Sequence, residues 1–408
     1  QSGVAMRPSV TIPWHLKSAK FRDSDVTLQP DDYYGATFMT GALSNKSGLM
    51  RGFDAYFEAM QGHELVEHDN AWTVFRSKLV LSLVKNKLTQ RLDHSLVVTT
   101  ASRWLREHAD RRFIAFVHLY STHTPYDPEL EFRDLYCDPE YDGPVQSFYA
   151  YHRELIEAGL AKPTPADVQQ IQNLYYAGVT QADRDIGIVL DELERLGVLD
   201  DTLVIVTSDH GESLGEHDPW ERGPDLWEHN HMVQTNLRIP MILSWPRGLP
   251  SGARVDALVE SVDLMPTISD LLGLEPPLEA QDPEADEGRG LIDGVSLLPI
   301  VRGVVESVKE LSFAIHGELV SVLDGRWKLV APHKPVTGAW LDERPGHWRL
   351  FNLVEDPEET TNVFRRDHPE ALRLLEVLER HAREMPTPQH LLVPTDRDEE
   401  DRLRKLGY

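Results

Sequence analysis

The hydrophobic and polar positions of this chain change period several times, and each change marks an element. From Leu92 to Arg111 the apolar residues Val97, Ala101, Trp104 and Leu105 recur at helical spacing, and the helix they predict leads into a strand over Phe113–Leu119. A longer helix opens at Thr164-Pro165-Ala166-Asp167, which combines an N-cap, a proline at the first position and an acid at the third. Val168, Ile171, Leu174, Tyr175, Val179, Ala182, Ile186, Val189, Leu190 and Leu193 line one face of it until Gly197 stops it. Leu203–Val206 is a run of branched apolar residues without polar alternation, which reads as a strand buried on both faces of a parallel sheet. Pro240–Trp245 reads as the next buried strand, and Asp263-Leu264-Met265-Pro266 starts a helix that runs through Leu272. A long helix followed by a strand is half of a βαβ unit, so the first part of the chain is expected to be α/β.

Past Leu274 the pattern is different. Glu275 to Asp286 is rich in proline and acid and reads as a solvated linker. Val320–Leu323 and Arg326–Val330 flank Asp324-Gly325, a two-residue hairpin signal, and His347–Leu353 gives another strand. Pro369–Arg383 reads as a helix with Leu372, Leu375, Leu378 and Glu379 at suitable spacing. The organisation expected is an α/β domain over 1–274, an acidic linker over 275–295, an α+β subdomain over 296–385 and a polar tail over 386–408.

The strand Leu203–Val206 ends in the polar burst Thr207-Ser208-Asp209-His210-Gly211-Glu212. Ligands of open α/β sheets bind at the carboxyl ends of strands. Asp209 and His210 offer a hard oxygen and an imidazole nitrogen side by side, suited to a divalent cation, and Gly211 lets the backbone turn closely. A polar strand end with a helix cap is the other reading of such a pair. His123 sits in a proline-bracketed loop after the Phe113–Leu119 strand, whereas His118, on the strand, reads as a core residue. His217, His229 and His231 crowd the loop after Glu212, and spacing does not separate His229 from His231.

Composition narrows the partners. At 408 residues and 41% hydrophobic, the chain can bury one large core and a smaller one. No apolar run approaches the ~20 residues that span a bilayer. A formal net charge of −26 argues against nucleic acid or an anionic membrane as partner. The single cysteine, Cys137, excludes an internal disulfide framework and reads as structural. The chain starts at Gln1 and shows no signal peptide; a cytoplasmic location is expected, with an export signal upstream of Gln1 as the alternative.

The motifs, taken together, resemble the sulfatase family of the alkaline phosphatase superfamily. Ser208-Asp209-His210-Gly211-Glu212 is similar to the family's metal strand end, and Phe116-Val117-His118 with His123-Thr124-Pro125-Tyr126-Asp127-Pro128 to its substrate-side strand and histidine loop. Tyr175-Tyr176-Ala177-Gly178 through Asp183, Arg238-Ile239-Pro240-Met241-Ile242 and Asp356-Pro357-Glu358-Glu359-Thr360-Thr361-Asn362 resemble the helix before that strand, the strand after it and the C-terminal signature. Thr37 to Asp54 resembles a further strand with its Gly-Phe-Asp turn. The resemblance implies an alkaline phosphatase-like central, mostly parallel sheet flanked by helices, with a small C-terminal antiparallel sheet and helix. It implies a sulfuric ester hydrolase acting on a small-molecule or carbohydrate sulfate ester. One divalent metal, Ca²⁺ first and Mn²⁺ or Zn²⁺ as alternatives, would be held by Asp209 and His210. His123, protonated, would contact the ester's oxygens, and His229 the transferred group, with His217 and His231 as further candidates.

The family's first-strand aspartate pair has no counterpart after an apolar strand here. Thr11-Ile12-Pro13-Trp14-His15 resembles a Thr-x-Pro form of the nucleophile motif, which makes Thr11 the candidate nucleophile and rules out a formylglycine at this position. Two other functions stay open: a phosphodiesterase or phosphonate hydrolase with Thr11 as nucleophile, and a sulfatase-like protein or fragment without catalysis.

Overall fold

The structure is a computed structural model, and it describes residues 33–39, 55–58, 66–67, 94–124, 126–146, 163–216, 227–229, 231–275, 294–316, 319–334, 339–340 and 348–384. Thr11, His217, the turn expected within residues 40–54, most of the acidic linker and the polar tail lie outside the described residues.

Four strands form the first sheet: β1 (Tyr34–Met39), β2 (Ala55–Glu58), β3 (Val66–Glu67) and β4 (Phe113–His118), in the order β3-β2-β1-β4. β1 runs parallel to β2 and to β4, with Tyr34 opposite Phe113 and Met39 opposite His118; β3 is the antiparallel edge. The helix His94–His108 covers one face. Val97, Ala101, Trp104 and Leu105 fall on one stripe of it and are fully buried with Ala36, Phe38, Ala55 and Leu193. Trp104 is the centre of this core, stacked on Tyr34 at 5.7 Å and edge-on to Phe38 at 5.8 Å.

The long helix spans Pro165–Arg195. At its start the Thr164 hydroxyl accepts a hydrogen bond from the Asp167 amide at 3.2 Å, and the Asp167 carboxylate accepts one from the Thr164 amide at 2.8 Å. Gly197, at φ 72°, turns the chain out of it. Along its length Gly178 lets the helix press against the loop after β4, because a Cβ there would lie 2.4 Å from the Ser121 carbonyl oxygen.

The next strand departs from expectation. β5 (Val204–Thr207) pairs antiparallel with β8 (Met241–Ser244), Val204 opposite Ser244 and Thr207 opposite Met241, and among the described residues it joins no parallel ladder. Neither strand is buried on both faces: β5 is partly exposed throughout, and Ile242 on β8 is 58% exposed. A short unbroken apolar run reports contact with apolar surface but not the direction of the neighbouring strand. That direction depends on the connection between the two strands, which the four residues of the run do not report. Two short strands, β6 (Ser213–Leu214) and β7 (Trp227–Glu228), pair within that return.

The C-terminal part is an antiparallel sheet of β9 (Ser312–His316), β10 (Leu319–Leu323), β11 (Trp327–Lys334), β12 (Ala339–Trp340) and β13 (Arg349–Asn352). The β10–β11 hairpin forms one residue later than expected: Asp324 N–H donates to the Trp327 carbonyl at 3.2 Å, so Gly325, at φ 85°, and Arg326 make the two-residue turn. The helix Pro369–Glu384 packs on this sheet through Ala371, Leu374 and Leu378. Leu372, expected on the buried face, is 53% exposed: two overlapping leucine sets share the helical spacing, and the one in phase with Ala371 faces the sheet. Asp263 caps the turn before the helix Leu264–Leu271, and its carboxylate and that of Glu260 accept hydrogen bonds from Lys309 Nζ, tying the two parts together.

Replacing Trp104 with alanine is expected to destabilise the protein by roughly 3–5 kcal/mol, read as a lower urea midpoint by circular dichroism, since the surrounding rings cannot close over the cavity. Gly178→Ala is expected to cost about 1–3 kcal/mol by the same measurement, because the new methyl meets backbone rather than a mobile side chain.

Candidate functional site

Three loops deliver the candidate residues to one place. The first is the Ser208–Glu212 turn after β5. Gly211 N–H donates to the Asn236 carbonyl at 2.7 Å and Glu212 N–H to the Thr235 carbonyl at 3.0 Å. Only glycine allows this approach, since a Cβ at 211 would lie 2.0 Å from the Thr235 oxygen. The Ser208 hydroxyl donates to the His210 carbonyl at 2.5 Å, and Asp209 Oδ1 accepts from the His210 amide at 3.0 Å.

Within this turn Asp209 and His210 converge, Asp209 Oδ2 lying 3.7 Å from His210 Nε2. His210 Nδ1 is 2.7 Å from the Gly211 carbonyl, which can only accept, so the proton sits on Nδ1 and Nε2 carries the lone pair. That Nε2 is buried and has no hydrogen-bond partner among the described residues. An imidazole locked by a backbone carbonyl with its other nitrogen free is what a metal-ligating histidine requires.

The second loop holds His229, just after β7. Its ring stacks on His210 at 3.9 Å, and its Nδ1 lies 3.6 Å from Glu212 Oε2. His231 is also buried, but the stack on His210 belongs to His229, which separates two histidines that spacing alone could not. Glu212 is held from the other side by Tyr126, whose hydroxyl donates to Oε1 at 2.7 Å. Burial raises the Glu212 carboxyl to a pKa of about 7, against the Tyr126 hydrogen bond, which lowers it. Ligand atoms of His210, Glu212 and His229 all lie within 4.8 Å of one another.

The third loop follows β4 and carries His123. Its ring stacks on Tyr120 at 4.1 Å and approaches His229 at 5.3 Å between centroids. Its Nδ1–H donates to the Thr124 carbonyl at 2.6 Å, leaving Nε2 as an acceptor. Burial lowers its pKa to about 3; the Thr124 carbonyl opposes this, and His229 and His210 add to it. An imidazolium here would lose its water and face two other imidazoles, so the free site favours neutral His123. His118 stays on the strand, in ring contact with Phe116 and Tyr120.

The sequence reading passed over Glu212, Tyr126 and His316. The first two were present in the motifs as quoted, Glu212 two residues past His210 and Tyr126 three past His123, without a pattern that gave them a role. His316, at the end of β9, is surface-exposed, and its pKa is lowered by partial desolvation first and then by His229 and His210. No local signal connects residue 316 to residue 210. Cys137 packs beside Tyr126, Ile171 and Leu174, and burial raises its thiol pKa, in keeping with a structural thiol.

These donors fit a divalent cation: a buried imidazole lone pair on His210, carboxylate oxygens from Asp209 and Glu212, and a second imidazole on His229. A family model described as Sulfatase matches residues 6–274. A choline-sulfatase of Rhizobium meliloti (strain 1021) is 30% identical over 266 residues, 61% of this chain and 45% of its own length. Arylsulfatase K of Rattus norvegicus is 27% identical over 54% of this chain and 36% of its own. The chain thus spans less than half the length of these relatives. Among solved structures, BT4656 in complex with its substrate D-glucosamine-2-N,6-O-disulfate aligns at a TM-score of 0.61 with 16% identity, over 95% of this chain and 90% of its own. The phosphonate monoester hydrolase of Agrobacterium radiobacter aligns at 0.57 with 20% identity, over 86% and 78%. The family match covers well over half of the chain, and the chain belongs to the sulfatase family.

Proposed function

We propose that this chain carries the metal-binding and substrate-facing part of a sulfatase that hydrolyses the sulfate ester of a small molecule or carbohydrate. The observation that supports it is the meeting of Asp209, His210, His229 and His123 at the ends of three separate loops. Asp209 and His210 Nε2 would hold a divalent metal, with Glu212 and His229 close enough to complete or adjust the set. A bound metal supplies Lewis-acid polarisation of the ester oxygens and lowers the pKa of an attached hydroxyl or water. With imidazole among the donors, Mn²⁺ or Zn²⁺ matches the site better than Ca²⁺, which favours oxygen alone.

The remaining chemistry belongs to the histidines. His123 is neutral in the free site, and an ester sulfate beside it raises its proton affinity, since an anion favours the imidazolium. The proton so captured on Nε2 becomes a hydrogen-bond donor to the ester oxygens and to the departing oxygen. The surface carries a net charge of −26, so recognition of an anion relies on this local arrangement rather than on the field of the whole protein. Thr11 remains the candidate nucleophile on sequence grounds alone.

A phosphodiesterase or phosphonate hydrolase is the second reading, favoured by the two imidazoles among the donors. The two are separated by rates on 4-nitrophenyl sulfate and bis(4-nitrophenyl) phosphate, with the sulfate expected to be the faster. His123→Ala is expected to lower kcat on that substrate by roughly 10²-fold. Calorimetric titration of Mn²⁺, Zn²⁺ and Ca²⁺ is expected to show one site, weakened at least about 10-fold by His210→Ala. No heat of binding for any of the three ions, together with no turnover, would leave the chain as a sulfatase-like protein without catalysis.

A further inference from the structure

The C-terminal signature Asp356–Asn362 has no part in the chemistry described so far, yet it is built with care. Asp356 accepts hydrogen bonds from the Thr360 amide at 2.9 Å and the Thr361 amide at 2.8 Å, and Asn362 Oδ1 accepts from the amides of Leu350 and Phe364, both at 3.0 Å. The loop so fixed holds Glu359 at φ 53°, the left-handed region that residues with a Cβ avoid. The conformation aims its carboxylate inward, where Glu359 is 1% exposed. Oε1 accepts from Lys328 Nζ at 2.7 Å, and Lys328, on β11, is fully buried. Oε2 accepts from the Gln234 amide at 2.5 Å.

Gln234 is the first residue of the short helix Gln234–Leu237, which begins three residues after His231 in the chain. The next two residues, Thr235 and Asn236, supply the carbonyls that receive Glu212 N–H and Gly211 N–H. Asn236 Oδ1 also accepts from the Ser213 hydroxyl at 2.6 Å. Hydrogen bonds at either end of the Gln234–Asn236 backbone thus connect the C-terminal sheet, through one carboxylate, to the turn that carries His210.

We propose that Glu359, neutralised and oriented by Lys328, is a positioning residue that sets the Gln234–Asn236 segment, and through it the Gly211-Glu212 turn, in place for the candidate site. Two features speak for geometry over stability as its role. A buried ion pair contributes little compared with apolar side chains of the same volume, so stability alone gives no reason for a lysine in this core. The left-handed backbone at Glu359 is strain whose visible effect is to bring one carboxylate to both partners. The inference rests on the site reading above, and its test separates the two.

Single substitutions would bury a lone charge, so paired variants are the informative ones. In Lys328→Met/Glu359→Gln the amide oxygen still accepts from Gln234; in Lys328→Met/Glu359→Leu it cannot. Both are expected to melt within a few degrees of the parent. Hydrogen exchange followed by mass spectrometry is expected to run roughly 10-fold faster in the Leu variant at the peptides covering Gly211–Leu214 and Gln234–Leu237, and near the parental rate in the Gln variant. The peptide covering Val97–Leu105 serves as the unaffected reference. On 4-nitrophenyl sulfate the Leu variant is expected to lose about 10-fold in kcat with KM nearly unchanged, and the Gln variant to recover it. Parental exchange in the Leu variant, or equal acceleration of the β10 peptide Leu319–Leu323, would overturn the inference. Should the parent itself turn over no ester, the hydrolase reading falls while the exchange pattern still decides this one.

Discussion

Two backbone hydrogen bonds, Gly211 N–H to the Asn236 carbonyl and Glu212 N–H to the Thr235 carbonyl, hold the candidate site together. They fasten the turn after β5 to the segment that follows His229 and His231, two stretches separated by more than twenty residues. Beside this crossing the His210 and His229 rings stack with their centroids 3.9 Å apart. Glycine at 211 is the condition for the crossing, because any side chain there would run into the Thr235 oxygen.

Burial gives the site its electrical character. It holds His123 in the neutral form and lifts the Glu212 carboxyl to about 7, so it works against charge of either sign. A cation arriving at Asp209 and His210 favours the ionised Glu212, and an anion arriving near His123 favours its imidazolium. Each ligand strengthens the site's attraction for the other, because charges of opposite sign attract more strongly in a low-dielectric pocket than in water. On the proposed reading, this coupling would let a chain with a formal net charge of −26 bind an anionic ester despite its overall charge.

The periodic parts of the fold were legible in the sequence. The helix Pro165–Arg195 begins at the capping box and ends before Gly197 as its residues indicate, and the hairpin signalled at Asp324-Gly325 forms, with its turn one residue later. What the pattern did not carry was strand direction and helix phase. Leu203–Val206 announced an apolar strand, but nothing in four branched residues says that the neighbour runs antiparallel, and Leu372 shares its spacing with the leucines that became buried. The site was legible as types and loops: Asp209 and His210 together, His123 near them. Spacing does not report that His229 is the ring stacked on His210, and Glu212 comes near His229 only through a tertiary approach that has no local signature.

What sets the distance between the His123 loop and the Asp209 turn is the apolar core. Among the described residues β4 pairs only with β1, and β5 only with β8, so no ladder joins the two strands whose ends carry the site. Both strands instead rest on one cluster, where Phe113 and Val117 of β4 and Val204 of β5 pack around Trp104 and Leu193. The long helix adds a second restraint, pressing Gly178 against the Ser121 carbonyl two residues before His123. Close-packed interiors transmit displacement, so a change of volume at Trp104 or Gly178 reaches the histidines although neither residue touches them. In this protein the separation of the candidate catalytic groups is a property of side-chain packing, and the polar residues inherit it.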